Sequence, residues 1–400
     1  MSGKTGASIS PIEKSAERRW AEGSKILFLV TEDWYFCSHR LPIARAARDA
    51  GFEVVVATRV EEHGEQIRDE GFRLISLSWR RRSKNPWQEI RTLAALHRIY
   101  RRERPRIVHH VALKPAVYGS LVARLTDTRK IINAVAGFGF IFTSRGSKAR
   151  MLRRVFRAAF SRLVNRPGGR VIVQNPDDYR TLVRARIIDP ERLVTIRGSG
   201  VDIDHFTPTP EPGGTVTVVI VSRMLWSKGV GELVGAARLL AEKGLKVRVV
   251  LVGGPDPENP QSIPTSQLEA WNAEGVVEWR GPTFDAFDVW RNCHIAVLPS
   301  YREGLPKTLL EAAACERPIV ATDVPGCREI VHDGENGLLV KPKDEFTLAE
   351  AIERLASDPG LRARMGARGR ELIVESFAES IVVDDTMELY QSMMQEDGAL

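Results

Sequence analysis

Short apolar segments alternate with helical segments along most of the chain. In the first half the apolar segments are rich in β-branched residues, as strands are, and they begin at Lys25, Glu53, Ile107, Arg129 and Arg170. Strands that alternate with helices predict a parallel sheet. The pattern restarts after the Pro/Gly-rich stretch TPTPEPGGT (residues 207–215), so the sequence predicts a second sheet and a domain boundary near residues 200–213.

Two doubly wound α/β sheets are therefore expected to face a central cleft. We assign residues 1–24 to a flexible leader, 25–200 to the first domain, 201–376 to the second domain and 377–400 to a C-terminal helix. Ligands of such sheets bind outside the carboxyl ends of the strands. Both candidate binding surfaces are therefore expected in the cleft between the domains.

The composition is that of a globular protein, with 400 residues and 43% apolar content. Its four cysteines, Cys37, Cys293, Cys315 and Cys327, lie far apart without metal-binding spacing, which is typical of reduced thiols in the cytoplasm. The polar leader has no apolar core of a signal peptide, and no apolar run is long enough to span a membrane. We expect a cytoplasmic location.

Charge is distributed very unevenly between the two halves. Residues 1–200 hold 39 Lys and Arg against 19 Asp and Glu, whereas residues 201–400 hold 19 against 32. A net charge of +20 on the first half predicts a partner that carries phosphate, which could be a lipid headgroup, a lipid-linked diphosphate or a nucleic acid.

A predicted turn and helix in the second half form a candidate anion site within SYREGLPKTLLEAAACERPIVATDVPG, residues 300–326. Pro306 suits the first helical turn, because its missing N–H would have no partner there. The free amides of Gly304 and Leu305 would then face a ligand ahead of the helix, and the helix dipole favours negative charge at that end. A diphosphate matches that description.

Two glutamates flank this turn. Glu303 lies just before it, so its carboxylate is expected to accept hydrogen bonds from sugar hydroxyls. Glu311 lies about a turn and a half into the helix, from where it could bind a ribose diol with both carboxylate oxygens. The alternative is an ordinary βαβ unit with incidental glutamates.

Two cations follow the first predicted strand of the second half, in SRMLWSKG. Arg223 and Lys228 could neutralise charge that develops on a departing nucleotide, which would make a metal dispensable. Gly253, at the end of the next strand, allows a close approach of nucleotide to backbone, although a simple turn is an equal alternative.

These motifs resemble the retaining glycosyltransferases of family 4, which have the GT-B fold. The resemblance implies a nucleotide-sugar donor, favoured as UDP-linked, and no metal or other cofactor. It implies that Arg223 and Lys228 hold the diphosphate and that the final helix crosses back onto the first domain. The donor would also contact the segments around Ser300 and Gly281, and the acceptor hydroxyl would attack from the side of the leaving group.

The first domain is expected to bind the acceptor. Its first strand is followed by Trp34, Tyr35 and Phe36, where many relatives have a glycine pair, and then by His39 and Arg40. We interpret this segment as a loop with aromatic faces for sugar or lipid and with donors for phosphate. It resembles enzymes that extend lipid-linked saccharides in surface polysaccharide pathways. His39 could equally be a helix-start residue without a catalytic part.

The segment IVHHVALK supplies three further acceptor-side candidates, His109, His110 and Lys114. Since neighbouring side chains on a strand alternate, we expect one histidine to face the core and the other to face the cleft. Many relatives carry a histidine near the reacting centre where this chain has Ala136, so the general base must come from elsewhere.

Two other positions have a local explanation. Asp202 and Asp204 look like a metal-binding DxD motif, but they match an interdomain segment of the family. Glu316 stands where relatives often have glycine, and a positive φ there would cost on the order of 1 kcal/mol.

Basic segments of the first half favour an anionic bilayer over nucleic acid, because the arginines are not interleaved with aromatic residues on a strand platform. They are an amphipathic helix at residues 148–166 and a block that runs from Arg80 to Arg106. The predicted function is sugar transfer to a polyprenyl-diphosphate-linked saccharide by a peripheral protein at the inner membrane face. The alternatives are an enzyme with a soluble acceptor, a sugar-nucleotide epimerase of the same fold, and a non-enzymatic membrane adaptor.

Overall fold

The computed structural model describes residues 19–79, 85–135, 157, 160–283 and 285–396. The predicted helix at residues 148–166 and the arginines at 80–82 lie largely outside these ranges, as does Ala136. Residues 19–24, which we assigned to the flexible leader, pack against the first domain: Ala21 is buried, and the Trp20 ring meets Phe52 edge-on at 5.4 Å between centroids.

Seven parallel strands form the first sheet, in the order β3-β2-β1-β4-β5-β6-β7. The strands and helices of this domain are β1 (Lys25–Glu32), α1 (Asp33–His39), α2 (Leu41–Asp49), β2 (Glu53–Arg59), α3 (Gly64–Asp69), β3 (Arg73–Ser76), α4 (Pro86–Glu103), β4 (Ile107–Val111), α5 (Leu113–Leu125), β5 (Lys130–Ala134), β6 (Gly169–Val173), α6 (Pro176–Arg184) and β7 (Leu193–Thr195).

The second sheet has six parallel strands in the order β10-β9-β8-β11-β12-β13. Its elements, with the helices that complete the chain, are β8 (Val216–Val221), α7 (Val230–Glu242), β9 (Val247–Val252), α8 (Thr265–Glu274), β10 (Glu278–Trp279), α9 (Ala286–Arg291), β11 (Ile295–Leu298), α10 (Lys307–Ala314), β12 (Ile319–Thr322), α11 (Pro325–Arg328), β13 (Gly337–Val340), α12 (Glu345–Ser357), α13 (Pro359–Ser376) and α14 (Glu379–Gln395).

Both sheets have the doubly wound order, so the predicted fold class is confirmed. In each sheet the order in which the chain adds strands reverses between the first strand and the fourth, β1 and β4 in one domain and β8 and β11 in the other. The loops after these two strands diverge and leave a crevice at the carboxyl edge. The fold therefore marks two crevices as candidate binding surfaces.

The chain crosses between the domains at two adjacent points. The Val201 amide donates to Phe377 O at 3.0 Å, and the Glu379 amide donates to Val201 O at 2.9 Å. Gly200 is required here, because its φ is +67° and an added Cβ would lie 2.6 Å from the Cα of Glu379.

Helix α14 packs on the first domain, although it follows the last elements of the second. Its Val382, Leu389, Tyr390 and Met393 belong to the apolar core around β1 and β2. Lys130 of β5 donates to the backbone carbonyl of Met393, near the end of this helix. The final helix thus covers one face of the first sheet.

Candidate functional site

The crevice of the second domain brings together two predicted side chains. Lys228 lies in the turn after β8 and Glu303 in the turn after β11, and the lysine Nζ is 2.5 Å from Glu303 Oε1. Both are mostly shielded, with side-chain exposures of 22% and 10%. A partly desolvated ion pair next to a cleft can exchange its partners for those of a charged ligand. This pair is the centre of the candidate site.

Arg223 lies in the same turn as Lys228 but has another partner. Its Nη1 is 2.5 Å from Asp256 Oδ2, and its side chain is 44% exposed. The two cations therefore line one turn, each held by one carboxylate. Asp256 belongs to the loop after β9 and was not among the predicted site residues.

The turn after β11 faces the first domain. The carbonyl of Gly304 accepts a hydrogen bond from Asn175 Nδ2 at 2.9 Å, and Lys307 Nζ donates to Ser38 O at 2.6 Å. Pro306 caps helix α10, which begins at Lys307, so the proline precedes the first helical turn that we had predicted for it. The amides of Leu305 and its neighbours thus lie beside the cleft.

Lys307 and Asn175 were not among the predicted site residues. Each is placed by a contact with a residue far along the chain, 269 residues away for Lys307 and 129 for Asn175. The position of Lys307 directly after the Gly-Leu-Pro turn was the one local signal that could have drawn attention to it.

Glu311 and Ser300 lie deeper than the other donor-side candidates. Glu311 is 8% exposed, and burial raises its pKa, against an opposing effect of the Lys307 charge. Ser300 is fully buried, and its hydroxyl has no hydrogen-bond partner among the described residues. A buried carboxylate and an unpartnered hydroxyl are groups that can bind polar ligand atoms.

Gly253 and Gly281 are in contact with each other. The amide of Gly253 donates to Gly281 O at 2.6 Å, and its carbonyl accepts from Trp279 Nε1 at 2.8 Å. Gly253 has a φ of +139°, and an added Cβ would lie 1.8 Å from Ser222 O. The backbone of β9 therefore passes directly behind the turn that carries Arg223, and a side chain cannot be accommodated there.

The aromatic segment of the first domain is a helix, where we had expected a loop. In α1 the rings of Tyr35 and His39 stack with centroids 4.1 Å apart, and Trp34 contacts Tyr35 edge-on at 5.5 Å. Burial lowers the pKa of His39 to about 3, helped by the nearby charges of Lys307 and Arg40. This imidazole is neutral at physiological pH, so it can accept or donate a hydrogen bond but carries no charge for phosphate.

Arg40 is buried, with 5% exposure, at the junction of the two domains. Its Nη1 donates to Gly198 O at 3.3 Å, in the segment that leads to the interdomain crossing. The guanidinium lies directly after the aromatic cluster of α1. It is thus placed between helix α1 and the interdomain crossing.

The histidines of β4 require a correction, because neither faces the cleft. His109 is 1% exposed, and its Nδ1 lies 2.5 Å from the Tyr390 hydroxyl of α14. His110 is fully buried between the Tyr100 hydroxyl and Asn133, both at 2.8 Å. The side chains alternate as expected, but β4 is central in its sheet, so its two faces meet two helical layers.

Lys114, the last acceptor-side candidate, is partly buried and bonded. Its Nζ lies 3.0 Å from Glu89 Oε1 and 5.3 Å from the centre of the Tyr118 ring. It thus connects α5 with α4 at the carboxyl edge of the first sheet.

The DxD-like segment has a structural role in this fold. Asp202 Oδ1 accepts the amides of Asp204 and His205, both at 3.0 Å. In the described part of the chain, no three His, Cys, Asp or Glu side chains lie close enough together to hold a metal ion. Metal independence of the reaction stays a prediction.

The fold and this crevice define a GT-B glycosyltransferase, in which a second-domain edge with paired cations and carboxylates faces the first domain. A family model for glycosyl transferase 4-like domains matches residues 25–165, and one for glycosyl transferases group 1 matches residues 215–358. The chain belongs to glycosyltransferase family 4.

Individual relatives are similar over most of this chain. An N,N'-diacetylbacillosaminyl-diphospho-undecaprenol α-1,3-N-acetylgalactosaminyltransferase of Campylobacter jejuni is 28% identical over 89% of this chain and 95% of its own. A UDP-Gal:α-D-GlcNAc-diphosphoundecaprenol α-1,3-galactosyltransferase of Escherichia coli is 24% identical over 77% and 80%.

A solved structure agrees with the fold. The Anabaena protein Alr3699/HepE, crystallised in complex with UDP-glucose, superposes with a TM-score of 0.74 at 19% identity, over 92% of this chain and 99% of its own.

No helix that the structure describes is both long and apolar enough to cross a membrane.

Proposed function

We propose that this enzyme transfers a sugar, with retention, from a UDP-sugar to a polyprenyl-diphosphate-linked saccharide at the inner face of the cell membrane. Two relatives that match most of the chain are named for acceptors of this kind, with sugars joined to undecaprenol through a diphosphate. The basic first half supports a diphosphate-bearing acceptor, because its excess of 20 positive charges attracts anions to that side.

The observation that carries the proposal is the Lys228–Glu303 pair at the crevice. A donor diphosphate would replace Glu303 as the partner of Lys228, which leaves the Glu303 carboxylate to accept hydrogen bonds from sugar hydroxyls. Arg223 would bind the same diphosphate. Both cations then stabilise the charge that grows on the leaving nucleotide.

The remaining donor contacts follow from position. Glu311 would bind the ribose, and the backbone of residues 304–306, beside the cleft, would bind the sugar. Ser300 lines the interior side, while Gly253 and Gly281 bring the backbone close to the nucleotide. In the reaction the bond from the anomeric carbon to the phosphate oxygen breaks, and the acceptor oxygen bonds to the same face. The proton of the acceptor hydroxyl passes to a donor phosphate oxygen.

On the acceptor side the aromatic cluster of α1 lies beside a contact with the second domain. Lys307 of the second domain contacts Ser38, the residue before His39. The stacked rings of Tyr35 and His39 provide an apolar face for a sugar ring, and Arg40 lies directly behind them. His109 and His110 would act through the packing of β4, because both are buried.

The test is a panel of UDP- and GDP-sugars offered with a synthetic polyprenyl-diphosphate saccharide. We expect transfer from one UDP-sugar, with kcat/KM lowered about 100- to 1000-fold in Lys228→Ala. Lys243→Ala is the matched control, because this exposed lysine pairs with Glu353 far from the crevice. Full activity in Lys228→Ala would defeat the diphosphate role, and transfer only to a soluble acceptor would replace the lipid-linked substrate by the alternative.

Membrane association is the second part of the proposal, and helix α4 supports it. Trp87 and Ile90 are 71% and 55% exposed, and Arg91, Arg98 and Arg101 are exposed on the same helix. The acids of α4 are engaged, Glu89 with Lys114 and Glu103 with Lys25. Exposed apolar residues among cations suit the interface of an anionic bilayer.

Vesicle flotation tests this surface. We expect the protein to float with phosphatidylglycerol vesicles and less with phosphatidylcholine vesicles. The double variant Trp87→Ala/Ile90→Ala should lose most of the recovery. Phe346→Ala removes a comparably exposed ring, at 63%, from the second domain and should change nothing. Equal recovery with both vesicle types would discard the bilayer.

A further inference from the structure

The loop that follows β9, residues 254–264, carries two carboxylates that contact different domains. Its sequence is GPDPENPQSIP, rich in proline and containing Asp256 and Glu258. Asp256 pairs with Arg223 of the second domain, and Glu258 pairs with Arg59 of the first. One short segment therefore contacts both sides of the cleft.

Asp256 is paired with Arg223, the cation that is proposed to bind the donor diphosphate. Its carboxylate is 12% exposed and lies 2.5 Å from Arg223 Nη1. The loop fixes this position, because the Asp256 amide donates to Ser262 Oγ at 2.9 Å. A diphosphate that binds Arg223 must compete with this carboxylate, since two anions cannot share one guanidinium without mutual repulsion.

Three backbone hydrogen bonds join the loop to the turn that carries Arg223. The Met224 amide donates to Gly254 O at 2.9 Å, the Trp226 amide to Gln261 O at 2.8 Å, and the Ile263 amide to Met224 O at 2.9 Å. Hydrogen bonds of this number between two short segments couple their positions. A displacement of the loop would therefore displace the turn that is proposed to bind the diphosphate.

From Glu258 a chain of contacts crosses to the acceptor side. Glu258 Oε1 lies 2.9 Å from Arg59 Nη1, and Arg59 Nη2 donates to Glu32 Oε1 at 2.8 Å. The second oxygen of Glu32 accepts the Trp34 indole N–H at 2.9 Å. Trp34 in turn contacts the stacked rings of Tyr35 and His39. The chain ends in the aromatic cluster that is placed to bind the acceptor.

We propose that residues 254–264 position the two substrates relative to each other. Asp256 holds Arg223 until a nucleoside diphosphate displaces it, and Glu258 holds Arg59, and through it Glu32 and Trp34, at a fixed place opposite the donor turn. Both are positioning residues, because they act through Arg223 and Trp34. The inference rests on the proposed function, since it needs Arg223 to bind the donor diphosphate.

Calorimetry with UDP and GDP on the full chain tests Asp256. Asp256→Asn keeps the shape of the side chain and removes the competing charge, so UDP should bind about three- to tenfold more tightly. Glu269→Gln removes an exposed acid of the same domain and should leave the affinity unchanged. Equal or weaker binding in Asp256→Asn overturns the proposal. Absence of binding to the unaltered protein would defeat the proposed function as well, so the two failures are distinguishable.

Steady-state kinetics test Glu258. In Glu258→Gln we expect the acceptor KM to rise several-fold, while the donor KM and the UDP affinity stay within about twofold of the unaltered enzyme. Arg59→Gln should give the same split with an effect at least as large, because it also breaks the contact with Glu32. The double variant should resemble Arg59→Gln alone, because the contact between Arg59 and Glu258 is already lost in that variant. Equal changes in both KM values, or fully additive effects, would contradict the positioning role.

Discussion

The two domains have the same strand order but present different groups at their carboxyl edges. In the second domain the turns after β8 and β11 carry Lys228 and Glu303, which meet at the cleft. In the first domain β4 carries His109 and His110, and both are buried in helical layers. There the surface beside the cleft comes from helix α1. Shared topology thus fixes where a site can form, while the local turns decide which groups it contains.

The domains also differ in the groups that they bury. In the first domain the partial burial of His39 lowers its pKa to about 3, and the full burial of His110 and His109 lowers their pKa to about 4 and well below the usual value, respectively. The second domain buries Glu311, whose pKa burial raises. These shifts have opposite consequences for stability as the pH falls.

The largest expected difference between the two domains is in the stability that each loses on acidification. A histidine with a lowered folded pKa contributes stability that is complete above its unfolded pKa near 6.5 and is lost as the pH falls, because the unfolded chain then binds more protons. His110 alone corresponds to about 3 kcal/mol between pH 7 and pH 4. His294 of the second domain adds a loss of the same sign, and Glu311 a gain.

Hydrogen exchange, corrected for the intrinsic effect of pH, can follow each domain separately. We expect amides of β4 to lose protection before those of β11 between pH 6.5 and pH 4. Simultaneous loss in both strands would remove the contrast between the domains.

Gly253→Ala should disrupt the second domain with little effect on the first. The added Cβ would meet Ser222 O at 1.8 Å in a backbone conformation with positive φ, and we expect a loss of about 3 kcal/mol in the free energy of unfolding. Gly254→Ala is the neighbouring control, because its nearest contact would be the Pro282 ring at 3.8 Å. Denaturant titration measures the free energy of unfolding of both variants. Similar stabilities for the two variants would show that the end of β9 does not pass this close to the turn that carries Arg223.

Glu311→Gln should stabilise the protein and weaken nucleotide binding. Because the raised pKa means that burial penalises the charged form, stability falls as the pH rises through the folded pKa, and an uncharged side chain removes this cost. We expect a Tm a few degrees higher at pH 7 and a UDP affinity lowered about tenfold, since a carboxylate binds a diol more strongly than an amide.

Glu329→Gln removes another carboxylate with a raised pKa, and it should raise the Tm without changing the affinity. Calorimetry measures the UDP affinity of both variants, and thermal unfolding measures their Tm. A lower Tm together with normal UDP binding in Glu311→Gln would contradict the assigned role.

Glu316→Gly should give the smallest change in the free energy of unfolding, and it tests the positive φ of this residue. Glu316 has a φ of +59°, so glycine should stabilise the turn after α10 by about 1 kcal/mol. Glu375→Gly, within α13, should destabilise by about the same amount, because glycine is unfavourable in a helix. Destabilisation by both substitutions would mean that Glu316 makes contacts that outweigh its strain.

Features that depend on local sequence were predicted well. The strand pattern predicted the fold class. The glycine that relatives often have at the position of Glu316 drew attention to a residue whose φ is indeed positive. Lys228 and Glu303 were identified separately from their turns, and the strand order then brought them together.

Features set by distant partners could not be predicted from the sequence. Tyr390 covers His109 from 281 residues away, and the pair of Glu258 with Arg59 joins residues 199 apart. No local pattern encodes such contacts, because they depend on how α14 and the loop after β9 pack on the first domain. The aromatic segment 33–39 was misjudged because its helix is short and has no side-chain cap.

The most direct test of the account is hydrogen exchange of the full protein with and without UDP. If the second domain grips the diphosphate, protection should rise in peptides that cover residues 223–229, 253–254 and 300–311, while α1 and β4 change little. Protection confined to the first domain, or none at saturating UDP, would contradict the placement of the donor site.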